Sequence, residues 1–403
     1  MNCRKLLARL PLLIVIFLSG TIAFGSSRQD RKPFEIPFQP TNNLIILRGS
    51  INGSKPLSLL LDTGAGGSVI NESRAKELGL KLKGQTEAAT GDGAVEASFV
   101  KGVELNISGL KLSDLTLTAI DLRGLEAGFG QPIDGILGYD IFAEFVVEID
   151  YVTQRVRLHK PKSYKYSGSG QTIPITIEDN RPFIRGEIVQ PGATAVEGRF
   201  EFDIGQIGAV TLGKAFTSKN DLLKSTSGTL QVTTGAILAG KSNVQIGRIQ
   251  NLRLGRFVIK NPITTFAPDN RGEEDTTDYA GLVGGEILRR FRVVVDYSRR
   301  RVVLEPNKHF SEPYEFDMSG ASLTSGGSKF NTFKVRALVE NSPASEMGLR
   351  VGDEIIAIDG KSTEGMTLEK IRRMFRQARR KYVISIKRNA LTMQISLTTR
   401  RLI

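Results

Sequence analysis

Leu59-Leu60-Leu61-Asp62-Thr63-Gly64-Ala65, continuing to Ser68-Val69-Ile70, and Phe200-Glu201-Phe202-Asp203-Ile204-Gly205-Gln206, continuing to Val210-Thr211-Leu212, are one phrase written twice. Each reads as an apolar strand, a tight Asp-x-Gly turn and a second short strand. The two aspartates stand 141 positions apart. Downstream the copying is closer. Gly135-Ile136-Leu137-Gly138 through Leu158 aligns without a gap to Gly281-Leu282-Val283-Gly284 through Leu304 at an offset of 146, with 10 of 24 positions identical. Upstream, Leu44-Ile45-Ile46-Leu47 before Arg48-Gly49 answers Phe183-Ile184 before Arg185-Gly186 at an offset of 137. The drift in offset places small insertions in loops, where length changes are tolerated. A duplicated, mainly β unit therefore fills the middle of the chain.

Composition narrows the chemistry by elimination. The 403 residues hold one cysteine, Cys3, and two histidines, His159 and His309. A disulfide framework, a cysteine zinc site, a thiol nucleophile and a histidine-driven triad are excluded or disfavoured, and neither metal nor cofactor is expected. Carboxylates, hydroxyls and lysines remain. The first 25 residues read as a signal peptide: Arg4, Lys5 and Arg9 precede an apolar run from Leu10 to Leu18, and Ala23-Phe24-Gly25 offers a small-x-small cleavage pattern. The expectation is export to the periplasm or beyond, with tethering by an uncleaved signal anchor as the alternative.

Paired Asp-x-Gly turns and paired Gly-apolar-apolar-Gly segments resemble the aspartic proteases, in a two-lobed single-chain form whose halves are similar to the retropepsins. The resemblance spans about residues 34–310. It implies two acid-protease-like β-barrel lobes, 34–163 and 168–310, around a shared cleft. It also implies Asp62 and Asp203 as the catalytic pair. Two carboxylates meeting on a pseudo-two-fold axis cannot both ionise, so the pair shares a proton. The ionised member then activates a water and the protonated one donates to the scissile carbonyl. Thr63, Gly64 and Gly205 fall in the active-site turns, where the family's threonines cross-brace the loops and glycine allows close approach. The second turn departs from the pattern, because Ile204 replaces the usual Thr or Ser and Gln206 the usual small residue. The flap that covers the cleft in this family is assigned to Gly91-Asp92-Gly93, an Asp-Gly hairpin signal, with Thr233-Thr234-Gly235-Ala236 as its second-lobe counterpart. Neither holds the flap tyrosine of pepsin-like members, which points to the retropepsin-like branch.

After Pro313 the pattern changes. Asn341-Ser342-Pro343-Ala344, Gly348-Leu349-Arg350-Val351-Gly352-Asp353 and Ile355-Ile356-Ala357-Ile358-Asp359-Gly360 resemble a PDZ domain of the bacterial protease-associated type, over residues 316–403. That implies an α+β module that adds a peptide strand beside a helix and holds peptide C-termini. The carboxylate loop falls at Gly320, Ala321, Ser322 and Leu323, although the usual Gly-apolar pattern is missing. Thr367 is placed as the cap of a helix carrying Leu368, Ile371, Phe375 and Ala378 at helical spacing. The module holds 16 Lys and Arg against 8 Asp and Glu. Without interleaved aromatics this reads as a solvated basic face or a site for acidic peptides or an anionic membrane surface, and not as a nucleic-acid site. Ser73-Arg74-Ala75-Lys76 is read as the start of a helix after the first Asp turn.

The expected protein is thus an exported aspartic endopeptidase acting on polypeptides, with a PDZ module for recruitment. Two readings stay open beside it: a non-catalytic peptide-binding protein on a protease fold, suggested by Ile204, and an enzyme active through Asp62 only as a dimer.

Overall fold

The computed structural model describes residues 32–90, 93–192, 194–226, 228–236, 240–267 and 278–403. The stretch read as a signal peptide lies outside them, as do Gly91 and Asp92 of the expected flap. The fold is mainly β. Among the described residues no helix is long and apolar enough to cross a membrane.

In the first half, strand Leu44–Ile51 pairs with Leu57–Leu61, which pairs in parallel with Gly135–Leu137. The sheet continues through Val69–Asn71, Leu110–Ile120 and Gly93–Ile107, and the last returns to Leu44–Ile51 through Ser50↔Asn106 and Ile51↔Leu105. Six strands thus close a barrel, which removes the free edges of the sheet. Leu57–Leu61 is buried at every position, which explains its lack of alternation: both of its faces meet apolar neighbours. Lys83–Thr90 pairs with Gly93–Ile107 as far as Thr90↔Gly93, a hairpin projecting from this barrel. Helix Glu72–Glu77 follows the Asp62 turn and begins at an Asn71 cap, where the Ser73 to Lys76 motif had suggested one.

The second half repeats the order. Arg181–Val189 pairs with Val196–Phe202, which runs parallel to Tyr279–Val283, and that strand pairs with Val210–Leu212. Leu230–Ala236 and Gly240–Arg248 form the counterpart hairpin. The halves meet in one sheet whose order is Phe34–Pro37, Arg155–His159, Val146–Asp150, Phe291–Asp296, Arg301–Pro306 and Gln171–Glu178. Its register carries the symmetry. Glu148 pairs with Val294, its own repeat-mate at offset 146, and Val147↔Val295 and Ile149↔Val293 flank them crosswise. A self-complementary pairing of this kind is what a two-fold axis imposes. One continuous apolar core runs under both lobes and this seam.

The C-terminal module has its own core, built from Leu323, Phe333, Val335, Ile355, Ile371, Phe375, Ile384 and Leu397 among others. Its strand order is Ala321–Gly326, Thr332–Leu338, Glu354–Ile358, Lys381–Arg388 and Leu391–Thr398, leaving Ala321–Gly326 at an edge. Helix Leu368–Phe375 is capped by Thr367, whose side chain accepts from the Lys370 amide. The helix stops before Ala378, which sequence spacing had placed in it. The chain tightens after Phe375 into three-residue turns and then reverses at Arg379, which has a φ of 56°.

Candidate active site

Both Asp turns are held from behind in the same way. The Asp62 amide donates to the Leu137 carbonyl and the Asp203 amide to the Val283 carbonyl, each at 3.0 Å. The Gly64 amide donates to Asp62 Oδ1 and the Gly205 amide to Asp203 Oδ1, each at 2.7 Å. Backbone thereby fixes one oxygen of each carboxyl. The carboxyl groups themselves meet in hydrogen-bonding contact between the lobes. Burial and the neighbouring negative charge of Asp62 hold Asp203 well above the ordinary carboxylate range, with Glu201 adding to the effect. Asp62 is raised as well: burial pushes it up, while the Asp203 hydrogen bond and the Gly64 and Ala65 amides pull the other way. Ionisation of one acid so placed disfavours that of the other.

The glycines are what let the lobes approach. A Cβ on Gly205 would overlap the Asp62 carboxyl, and one on Gly64 would stand 3.0 Å from Asp203 Cγ. Each turn therefore makes room for the other lobe's acid. Thr63 braces the junction: its Oγ1 donates to the Phe202 carbonyl at 2.5 Å and accepts from the Ile204 amide at 3.0 Å. Ile204 has no hydroxyl with which to return those bonds. It is instead fully buried in the shared core. The brace expected from two hydroxyls thus rests on one.

One further pair of residues, Asn43 and Asn180, is not evident from local motifs. Asn43 donates to the Ile207 carbonyl at 2.9 Å and to Glu286 at 2.7 Å, both in the second half. Asn180 donates to the Gly66 carbonyl at 2.9 Å in the first. They are repeat-mates at offset 137, both with φ near 65–70°, so each lobe grips the other's Asp loop from the same left-handed turn position. The offset was a usable signal. Glu201 was also passed over, although a carboxylate inside the run Phe200-Glu201-Phe202, where the first half has three leucines, breaks the apolar pattern. Of the flap, only Gly93 falls among the described residues, opening its strand.

In the C-terminal module, the first two amides of the expected carboxylate loop, those of Gly320 and Ala321, are already engaged. Asp317 Oδ1 accepts from the Ser319 amide at 2.9 Å, the Gly320 amide at 2.6 Å and Ser319 Oγ at 2.7 Å. The Ala321 amide donates to Ser319 Oγ at 3.0 Å. Burial raises Asp317 to about 6 despite these bonds. Ser322 and Leu323 belong to the edge strand. Between that strand and the helix, Arg372 donates to the Leu323 carbonyl at 3.1 Å. Arg372 is therefore no part of a solvated basic face; burial lowers it to about 10. Helix Arg123–Phe129 of the first lobe reaches the same edge, where Thr324 and Ser325 hydroxyls donate to the Ala127 carbonyl at 3.2 and 3.1 Å.

A model of the aspartyl protease family matches residues 47–141, a span that holds the Asp62 turn and the Gly135–Gly138 segment. A PDZ-domain model matches residues 334–388. No curated protein matches the chain. The chain carries an aspartyl protease domain over the first of these spans and a C-terminal PDZ domain over the second.

Proposed function

We propose that this protein is an exported aspartic-type endopeptidase whose two lobes supply one carboxyl each, with the PDZ domain acting on polypeptide partners. The observation that carries the reading is the contact of the Asp62 and Asp203 carboxyls across the lobe junction. In this reading the ionised member of the pair takes a proton from water as its oxygen attacks the scissile carbonyl carbon. The protonated member donates to the carbonyl oxygen. Collapse of the tetrahedral intermediate expels the amine, which leaves protonated, and the pair ends with one proton again. No covalent enzyme intermediate is required. Export rests on the basic-then-apolar leader with its small-x-small end.

Cleavage of an unfolded protein at mildly acidic pH tests the reading. Asp62→Asn and Asp203→Asn should each abolish turnover while circular dichroism stays that of the parent. Full activity of Asp62→Asn rejects the reading. Full activity of Asp203→Asn with loss in Asp62→Asn selects a dimer built on two first lobes. The missing second hydroxyl at Ile204 favours one other reading, a peptide-binding protein on a protease scaffold, and absence of turnover at every pH selects it.

A further inference from the structure

Glu201 lies two residues before Asp203 in the strand Val196–Phe202. Phe200 and Phe202 point into the core, so the alternation of a strand puts Glu201 on the face that Asp203 shares. The two carboxyls border the same point of the opposite turn: a Cβ on Gly64 would stand 3.1 Å from Asp203 Oδ2 and 3.1 Å from Glu201 Oε1. Glu201 is 6% exposed. The equivalent position before Asp62 is Leu60, fully buried and apolar. The pair of acids thus sits in an asymmetric setting, with a third carboxylate on one side only.

Charged and polar groups from three elements face Glu201. Arg181, on the neighbouring strand, has Nη1 3.5 Å from Glu201 Oε2 and also lies 3.9 Å from the exposed Asp179. Tyr297, from the turn that closes the second half, has a buried hydroxyl within the field of Asp62, Glu201 and Asp203 together. Arg199, next along the same strand face, is engaged outward with Glu178 and Asp278. An ionised Glu201 beside Asp203 disfavours ionisation of Asp203 more than that of Asp62.

We propose that Glu201 is a positioning residue for the shared proton: its carboxylate, whose charge Arg181 partly offsets from the neighbouring strand, seats that proton on Asp203 and leaves Asp62 as the base that activates water. The inference rests on the protease reading above. It explains how two lobes of one ancestry come to hold unequal acids although both turns keep their Asp-x-Gly.

The test is the pH profile of kcat/KM on an unfolded protein substrate, whose alkaline limb reports loss of the shared proton. Glu201→Gln should move that limb down by about one pH unit, and Arg181→Gln should move it up, because the two variants remove opposite charges. A purely structural role lowers activity without shifting the limb in opposite directions. An alkaline limb that stays in place in Glu201→Gln, or moves up, overturns the inference. Should Glu201→Gln fail to fold, the Arg181→Gln profile decides: an upward shift supports the proposal and an unmoved limb rejects it. If the parent cleaves nothing, or Asp62→Asn cleaves as well as the parent, the underlying protease reading fails instead.

Discussion

The single hydroxyl brace at the lobe junction makes a quantitative expectation possible. Thr63→Val keeps shape and volume but removes Oγ1, which both donates to the Phe202 carbonyl and accepts from the Ile204 amide. Thr63 is 1% exposed and Ile204 fully buried, so water cannot take over at either group. Leaving a buried donor or acceptor without a partner costs about 1–3 kcal/mol, so two orphaned groups cost about 3 kcal/mol or more. No second hydroxyl shares the burden, since residue 204 is isoleucine. Thr63→Ser keeps both bonds and should cost only about 1 kcal/mol for the lost methyl group. Urea unfolding followed by circular dichroism measures the global effect, the chain having no tryptophan. Hydrogen exchange gives the local one. If the Ile204 amide exchanges by opening at this junction, a 3 kcal/mol loss speeds it by about 100-fold in Thr63→Val. A midpoint and an Ile204 exchange rate both unchanged from the parent would refute the brace as one of the elements holding the lobes in register.

Two further outcomes follow from the same junction and from the seam beneath it. Gly205→Ala should lower peptide cleavage by about 100-fold or more, because its Cβ claims the space of the Asp62 carboxyl and a displacement of about 1 Å at reacting groups has that effect. Gly64→Ala, whose Cβ meets Asp203 at 3.0 Å or beyond, should be the milder of the two in the same assay, and the reverse order would contradict the geometry. At the seam, burial works to raise Glu148, but the nearby His159 imidazole, 3.4 Å away, and the Arg292 guanidinium, which donates to it at 2.8 Å, prevail and bring it down to about 2 from 4.5. An acid lowered on folding stabilises fully above its unfolded value and loses that contribution as pH falls toward the folded one. The contribution, on the order of 3 kcal/mol, should therefore be present above about pH 4.5 and fade between there and pH 2. Unfolding midpoints across that range should fall steeply in the parent and more gently in Glu148→Gln. Parallel slopes would rule the contribution out.

What the sequence shows of this architecture depends on whether the physics is local or repeated. Asp62 and Asp203 meet as their repeat suggests, because identical spacing in two similar halves forces corresponding turns to the axis. The seam is legible in the same way, from Val146–Asp150 and Phe291–Asp296 and the hairpins they close. The Thr367 cap is legible because it is written within four residues. Glu201, and Asn43 and Asn180 at their shared offset of 137, leave a mark in the sequence, but what they touch, Arg181 included, depends on contacts between segments far apart in the chain, which single-residue patterns do not record. Arg372 misleads for a related reason: its charge suggests solvent, whereas the fold turns its side chain inward to a strand carbonyl. The helix in the C-terminal domain ends three residues short of Ala378 because periodicity says nothing of the left-handed residue at Arg379.

The loop that begins with Asp317 has a kinetic and competitive side. Its Ser319 and Gly320 amides already serve a carboxylate, tethered two and three residues away. A tethered competitor acts at an effective concentration on the order of millimolar or more, so a free peptide C-terminus meets an occupied seat and not an empty one. Its apparent Kd is its intrinsic Kd multiplied by the factor that Asp317 imposes, a tax of the kind that conformational pre-equilibria levy. Were the loop to take chain ends, only ends presented at high local density would overcome such a factor.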